Sequence, residues 1–457
     1  MRSLSRGALA GSSLLLALAC GDGGPASAGN QGGSPSASTA GAANGGAPNG
    51  TGGAPNGSGG AGTSGNGASL AGAGAGGGDT PAGGAQPGGG GAGTGGAGAN
   101  SGSLGAGASA GAGGQSGGGA GGTACAGPIG TLSGALTTGI NFLDTEGQRV
   151  DAHGGGIIRV ADTFYLHGEY FSPTTTDNDF NGFSMYSSKD LATWKNEGII
   201  LPQQASGELG PKRKGERPHI IECPSSGEFV LYAHAASEDY QTDKEVVYAT
   251  SPTVNGKYSY KGALKNASGA IAAHSDMTAI TDGANAYVMT ESGHVYTLAA
   301  DCHSWVSDKT YSAVNGDSGG SESPTVFKAG STYYWIGSYK TGWRANNNFY
   351  STAPTITGPW TYQGFVAPVS DASNDLSDQR TWLTQSTWVQ AVTGCNGTTY
   401  VYWGDHWDGN LDTTAPGKHN NLATFVFQPL VLSGIKISMP TYHATWKLDI
   451  GAGTWTQ

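Results

Sequence analysis

Four carboxylates lie at the edges of strand-like runs in this sequence: Glu169, Glu216, Asp276 and Glu322. His153 and Gln385 hold comparable places. A charged group beside apolar stretches costs free energy unless it is paired or used. Carboxylates gathered at one point raise the pKa of one member and keep it protonated near neutral pH, as a general acid requires. Hydrolysis of a glycosidic bond uses such a set. One carboxyl protonates the leaving oxygen and, for inversion, a base activates water on the opposite face, about 6.5–9.5 Å away.

Something must bring these residues together, and the chain after His153 supplies it. Runs such as Gly156 to Gly168 are rich in β-branched and aromatic residues and are broken in the middle by Ala161-Asp162, as a hairpin turn would break them. No long 3.6-residue periodicity is present. A polar start, a strand, a turn and an aromatic-rich strand recur from His153, Glu216, Ser275, Glu322 and Gln385. Starts about 45–65 residues apart suit four-stranded blades, so the fold expected is an all-β, five-bladed β-propeller. A sandwich with long loops is the alternative. The first strand of each propeller blade lines the central channel, and the five polar starts then converge on one funnel. Trp343, Trp382 and Trp407 are candidate platforms for stacking a sugar, although aromatics at blade ends as often pack. Glu216 has a plainer reading as the salt-bridge partner of Arg217, and His153 as a structural channel residue.

Motifs in register from residue 141 to 457 carry a more specific likeness. They include Asp144-Thr-Glu-Gly-Gln, Ala152-His-Gly-Gly-Gly-Ile, Tyr165-Leu-His-Gly-Glu169, Glu216-Arg-Pro, Ser275-Asp276-Met-Thr, Glu322-Ser-Pro, Gly358-Pro-Trp360, Gln385-Ser-Thr and Gly404-Asp405-His-Trp407. Together they resemble glycoside hydrolase family 43, five-bladed propeller enzymes that act with inversion, and within it the exo-β-1,3-galactanase branch. The resemblance implies Glu322 as general acid and Asp276 as the carboxylate that tunes it and orients the sugar. It implies Glu169 and Glu216 as holders of sugar hydroxyls; His153, Trp343 and Trp407 are further candidates for contact with the substrate, read from the sequence itself. Most members place a base Asp at the start of the first blade, where this chain has His153-Gly154-Gly155. The galactanase branch shares that absence, and there a glutamine corresponding to Gln385 is thought to activate water through its imidic acid tautomer. After Trp407 the chain departs from the family with a polar loop, Asp408 to Asn421.

These features point to an exo-acting, inverting hydrolase of β-1,3-linked galactan that uses no metal or cofactor. Two other readings stay open: a family 43 enzyme for another sugar (arabinofuranosidase, xylosidase or galactofuranosidase), and a catalytically inactive carbohydrate-binding propeller. The folded part, residues 125–457, holds all 41 aromatic residues and is net acidic by 11. That disfavours nucleic acid and anionic membranes and suits a neutral polysaccharide or oligosaccharide as partner. Lys212-Arg213-Lys214 reads as a solvated loop. Cys125, Cys223, Cys302 and Cys395 lack C-x-x-C spacing and allow two disulfides in any of three pairings. A monomer is expected.

Residues 1–20 read as a secretory signal: Arg2 and Arg6, a short apolar run, then Leu18-Ala19-Cys20. The run falls well short of the ~20 residues that span a bilayer. Cys20 resembles the acylated cysteine of a bacterial lipobox, so an exported protein, lipid-anchored to the cell envelope, is expected. Residues 21–124 hold 44 of the 82 glycines, no aromatic residue and only two charges. Such a stretch cannot offset chain entropy by burial and is expected to be a disordered tether. Its root-mean-square span as a Gly-rich coil is about 50–60 Å.

Overall fold

The computed structural model describes residue 125 and residues 127–133, 142–172, 178–316, 320–343, 345–369, 380–407 and 420–457. The signal segment with Cys20, the Gly-rich stretch and most of the loop after Trp407 lie outside the described residues. Within them the fold is all-β, and helix is confined to single turns.

Strand β1 (Ile129–Ser133) precedes five four-stranded antiparallel sheets that follow one another along the chain. The first sheet is β2 (His153–Val160), β3 (Thr163–Glu169), β4 (Gly182–Ser188) and β5 (Lys195–Pro202). The second is β6 (Lys214–Glu222), β7 (Phe229–Ala236), β8 (Lys244–Ser251) and β9 (Ser259–Ala263). The third is β10 (Met277–Asp282), β11 (Asn285–Thr290), β12 (His294–Leu298) and β13 (Trp305–Thr310). The fourth is β14 (Glu322–Ala329), β15 (Thr332–Ser338), β16 (Phe349–Ala353) and β17 (Thr361–Phe365). The fifth is β18 (Gln385–Thr393), β19 (Thr398–His406), β20 (Thr424–Ser433) and β21 (Lys436–Ser438). The inner strands β2, β6, β10, β14 and β18 adjoin one another in turn, and β18 closes on β2.

Strand alternation builds the ring. Successive side chains point to opposite faces, so each sheet feeds two apolar seams. Tyr333 and Trp335 of β15 pack against Tyr287 and Met289 of the third sheet. Their neighbours Tyr334 and Ile336 pack against Tyr402 and Val426 of the fifth. In β7, Leu231 faces the first sheet and Tyr232 the third in the same way.

Six sheets are present where five blades were expected. β1 pairs with β22 (Thr445–Asp449), which pairs with β23 (Thr454–Thr456). This small sheet packs Leu132, Trp446 and Leu448 between Leu166 of the first sheet and Trp194 just before β5 on one side and Trp403 and Phe427 of the fifth on the other. It fills the outer seam where the ring closes. Its strands are short and come from opposite ends of the domain, so no local repeat announces it.

The disulfides are Cys125–Cys395 and Cys223–Cys302, which settles the pairing left open by sequence. The first ties the segment before β1 to the β18–β19 turn, and the second ties the β6–β7 turn to the β12–β13 turn. Their sequence separations are 270 and 79 residues. Chain entropy makes the longer closure more stabilising, by about 1 kcal/mol over the shorter, on a typical 2–4 kcal/mol for each. Denaturant unfolding of Cys125→Ser/Cys395→Ser and Cys223→Ser/Cys302→Ser variants is expected to show the larger loss for the first pair.

Candidate active site

Four of the five inner strands carry a bulge at their first residues. Register slips between His153 and Gly156, Glu216 and His219, Glu322 and Thr325, and Ser386 and Trp388. Bulges re-aim side chains and gather beside active sites. Three contain positive φ angles: Gly154 (62°), Arg217 (52°) and Ser323 (56°). For Arg217 and Ser323 such backbone persists only where surrounding contacts hold it. The polar starts are thereby turned into the mouth of the ring. A cavity of about 330 Å³ opens there, lined by Glu169, Glu216, Asp276, Glu322, Gln385, Trp343 and Trp407 among the expected residues.

Arg217, 5 % exposed, reaches most of them. Its backbone N–H donates to Glu169 Oε1 at 2.9 Å, its Nη2 donates to Gln385 Oε1, and its Nη1 donates to the Ser386 carbonyl at 3.3 Å. Its Nε stands 3.4 Å from Asp276 Oδ2. Burial works against its charge, but Asp276, Asp405, Glu169 and Glu322 together hold the proton more firmly than usual. The expected alternative pairing of Glu216 with Arg217 is not formed. The left-handed backbone turns the guanidinium toward Asp276, and Glu216 instead accepts from Tyr240 Oη and faces His234 Nδ1 at 3.4 Å.

The carboxyls differ in proton affinity. Burial, and next the Asp276 carboxylate, push Glu322 up to about 8. Burial and then Glu216 raise Glu169 well above the usual range. Burial would raise Glu216 too, but His234, Tyr240 and Arg217 outweigh it and hold Glu216 below its ordinary value. Near neutral pH the funnel therefore holds a protonated Glu322 beside Asp276, whose Oδ2 accepts the Ser323 N–H at 2.9 Å. A proton donor of that kind suits a leaving oxygen.

Gln385 uses all four of its amide bonds. Oε1 accepts from Arg217 and, at 2.9 Å, from Trp407 Nε1; Nε2 donates to Glu322 Oε1 at 2.9 Å and to Ser338 Oγ at 3.0 Å. Gln385 and Glu322 thus touch directly, and a sugar lying between them breaks that bond.

Glu169 ends β3 opposite His153 and takes the space that Gly154 of β2 leaves free. A Cβ at Gly154 would sit 2.1 Å from Glu169 Oε1. The position without a base Asp is therefore filled by a carboxylate from the neighbouring strand.

His153 is not among the cavity's lining residues, which corrects its expected place at the substrate. Its ring stacks on Phe425 at 4.4 Å and its Nδ1 bonds Asp405 Oδ1 at 2.8 Å, fully buried. Trp407 lines the cavity, but its ring is packed against Phe171 and Trp343, and it presents Nε1 to Gln385 rather than an open face. Trp343 is partly buried and remains the available platform. Trp382 is 2 % exposed in the seam beside Tyr402 and Val389 and is a core residue.

Sequence reasoning did not single out Tyr240, His234, Glu291 or Lys340, all of which line the cavity. They lie on second strands or in later turns, and no strand-start pattern marks them. Glu216, His234 and Asp276 bring potential ligand atoms within 4.8 Å of one another, the one such metal-type triplet among the described residues.

The family model for glycosyl hydrolases family 43 matches residues 152–361. No curated protein sequence matches the chain. Among solved structures, an exo-β-1,3-galactanase from Clostridium thermocellum is similar at 26 % identity and a TM-score of 0.59, over 72 % of this chain and 68 % of that one. A variant of the exo-β-1,3-galactanase from Phanerochaete chrysosporium, solved with β-1,3-galactotriose, is similar at 26 % identity and 0.58, over 72 % and 70 %. The same fungal enzyme with galactose gives 26 % and 0.58, over 71 % and 70 %.

The fit of Glu169 over Gly154 can be tested without substrate. In Gly154→Ala the new methyl expels the carboxylate, and the Glu169 carboxyl, followed by ¹³C NMR titration, is expected to fall toward the ordinary range. A carboxyl that stays raised would refute this packing.

Proposed function

Because the chain is a glycoside hydrolase with the family 43 propeller fold, we propose that it removes galactose from the ends of β-1,3-linked galactan with inversion. The observation that carries this is the buried Glu322 carboxyl set against Asp276 in a cavity of carboxylates, where burial and Asp276 raise its proton affinity. Glu322 gives its proton to the leaving oxygen, and Asp276 keeps that proton on Glu322 and steadies the sugar. Gln385 leaves Glu322 when the sugar enters and, as its imidic acid tautomer, takes the proton of the attacking water on Nε2, with Arg217 and Trp407 beside its oxygen. Glu169 and Glu216 take sugar hydroxyls, and Trp343 offers an apolar face. Similarity to enzymes solved with galactose and β-1,3-galactotriose supports the choice of sugar.

Release of galactose from β-1,3-galactan by wild type and Glu322→Gln checks the acid. The variant is expected to lose about 10²–10⁴-fold in kcat. Equal rates would reject Glu322, and binding without turnover by wild type would identify a non-catalytic module. Glu322 must be protonated to act, so activity is expected to persist below pH 8 and to fall as pH rises through about 8. A profile flat to pH 10 would contradict that.

We also propose that the protein is exported, lipidated on Cys20 and held from the envelope by residues 21–124. Metabolic labelling with a fatty acid is expected to mark the wild type and not Cys20→Ser.

A further inference from the structure

Glu291 and Lys340 have no part in the mechanism above, yet they join the two blades that carry its central pair. Glu291 follows β11 in the third sheet and Lys340 follows β15 in the fourth. Lys340 Nζ donates to Glu291 Oε2 across the seam. The other oxygen of Glu291 accepts the Ser275 N–H at 3.2 Å, and the Glu291 N–H donates to the Asp276 carbonyl at 2.7 Å. From the far side, the N–H of Ser323, next to Glu322, donates to Asp276 Oδ2. The segment bearing Asp276 is therefore gripped by Glu291 on its own blade, and Glu291 is gripped in turn by the blade of Glu322.

We propose that the Glu291–Lys340 ion pair, joined across the seam in the cavity that Glu322 lines, acts through Glu322 by holding two opposite charges in balance beside the acid and Asp276. The proposal deepens the reading of Glu322 as proton donor and rests on it. The two charges act on Glu322 in opposite senses: behind burial and Asp276, Glu291 raises its proton affinity, while Arg217 and Lys340 lower it. Lys244 and His274 also face the pair, and His234 faces Asp276. None of these changes in the variants chosen below.

Removing either charge alone should move Glu322, in opposite directions. In Lys340→Met the carboxyl loses a cation and titrates higher. In Glu291→Gln it loses an anion and titrates lower, while the amide oxygen still accepts the Ser275 N–H. Because the Lys340 side chain is 46 % exposed, each shift is expected to be about half a pH unit. The double variant should return close to wild type, and Lys340→Arg should restore it.

The test follows the Glu322 carboxyl by ¹³C NMR titration, assigned through Glu322→Gln, and measures kcat and KM on β-1,3-galactobiose across pH in the same proteins. Opposite shifts that cancel in the double variant, with the alkaline limb of kcat following them and KM changed less than about twofold, support the proposal. Shifts of one sign, or none, overturn it. A KM raised about tenfold at constant kcat also overturns it, by making the pair a direct sugar contact. Opposite shifts in a protein that leaves galactobiose intact uphold the charge balance and reject the choice of sugar.

Discussion

Arg217 carries a full charge to the foot of the funnel, where almost no water reaches it, and the rest of the site is arranged around that fact. An unpaired guanidinium in such a place is destabilising by on the order of 3–5 kcal/mol. Here its donors are spent on Gln385, Ser386 and Asp276, and its backbone N–H on Glu169. Those partners come from the first, third and fifth sheets, while Arg217 itself belongs to the second. One buried cation therefore couples four of the five blades at the level where a substrate would sit. It also explains how several carboxyls tolerate one another in a small space, since the field of Arg217 offsets part of their repulsion.

The ring beneath has to be stiff for this to work. Alternating side chains fill every seam with aromatic and branched residues, so inner strands cannot slide without opening a packed interface. Register also slips in the outer strand pairs, but the four slips at the first residues of inner strands are the ones that turn polar groups inward. Regular sheet supplies the frame, and local irregularity supplies the aim.

Much of this was legible in the sequence because both the frame and the aim leave a periodic trace. The starts at His153, Glu216, Ser275, Glu322 and Gln385 fall at the beginning of, or within two residues of, the inner strands, and seven of the eight expected sugar-site residues line one cavity. His153 could not be placed because its neighbours, Asp405 and Phe425, lie more than 250 residues away in the chain. Trp407 and Trp382 could not be ranked because a tryptophan in a seam and one at a mouth look alike in sequence. Glu291 and Lys340 sit in turns, where position depends on three-dimensional closure. The small sheet of β1, β22 and β23 was invisible for the same reason, since its pairing joins residues such as Ile129 and Asp449.

That sheet and the Cys125–Cys395 bond have a mechanical meaning. A pull on the chain ahead of residue 125 meets a covalent link to the β18–β19 turn before it loads any hydrogen bond of β1. The force enters the fifth sheet at its hairpin and spreads through the seam of Trp403, Phe427 and Trp446. A domain held by its N-terminal side thus takes tension at the turn end of β18, the end opposite Gln385.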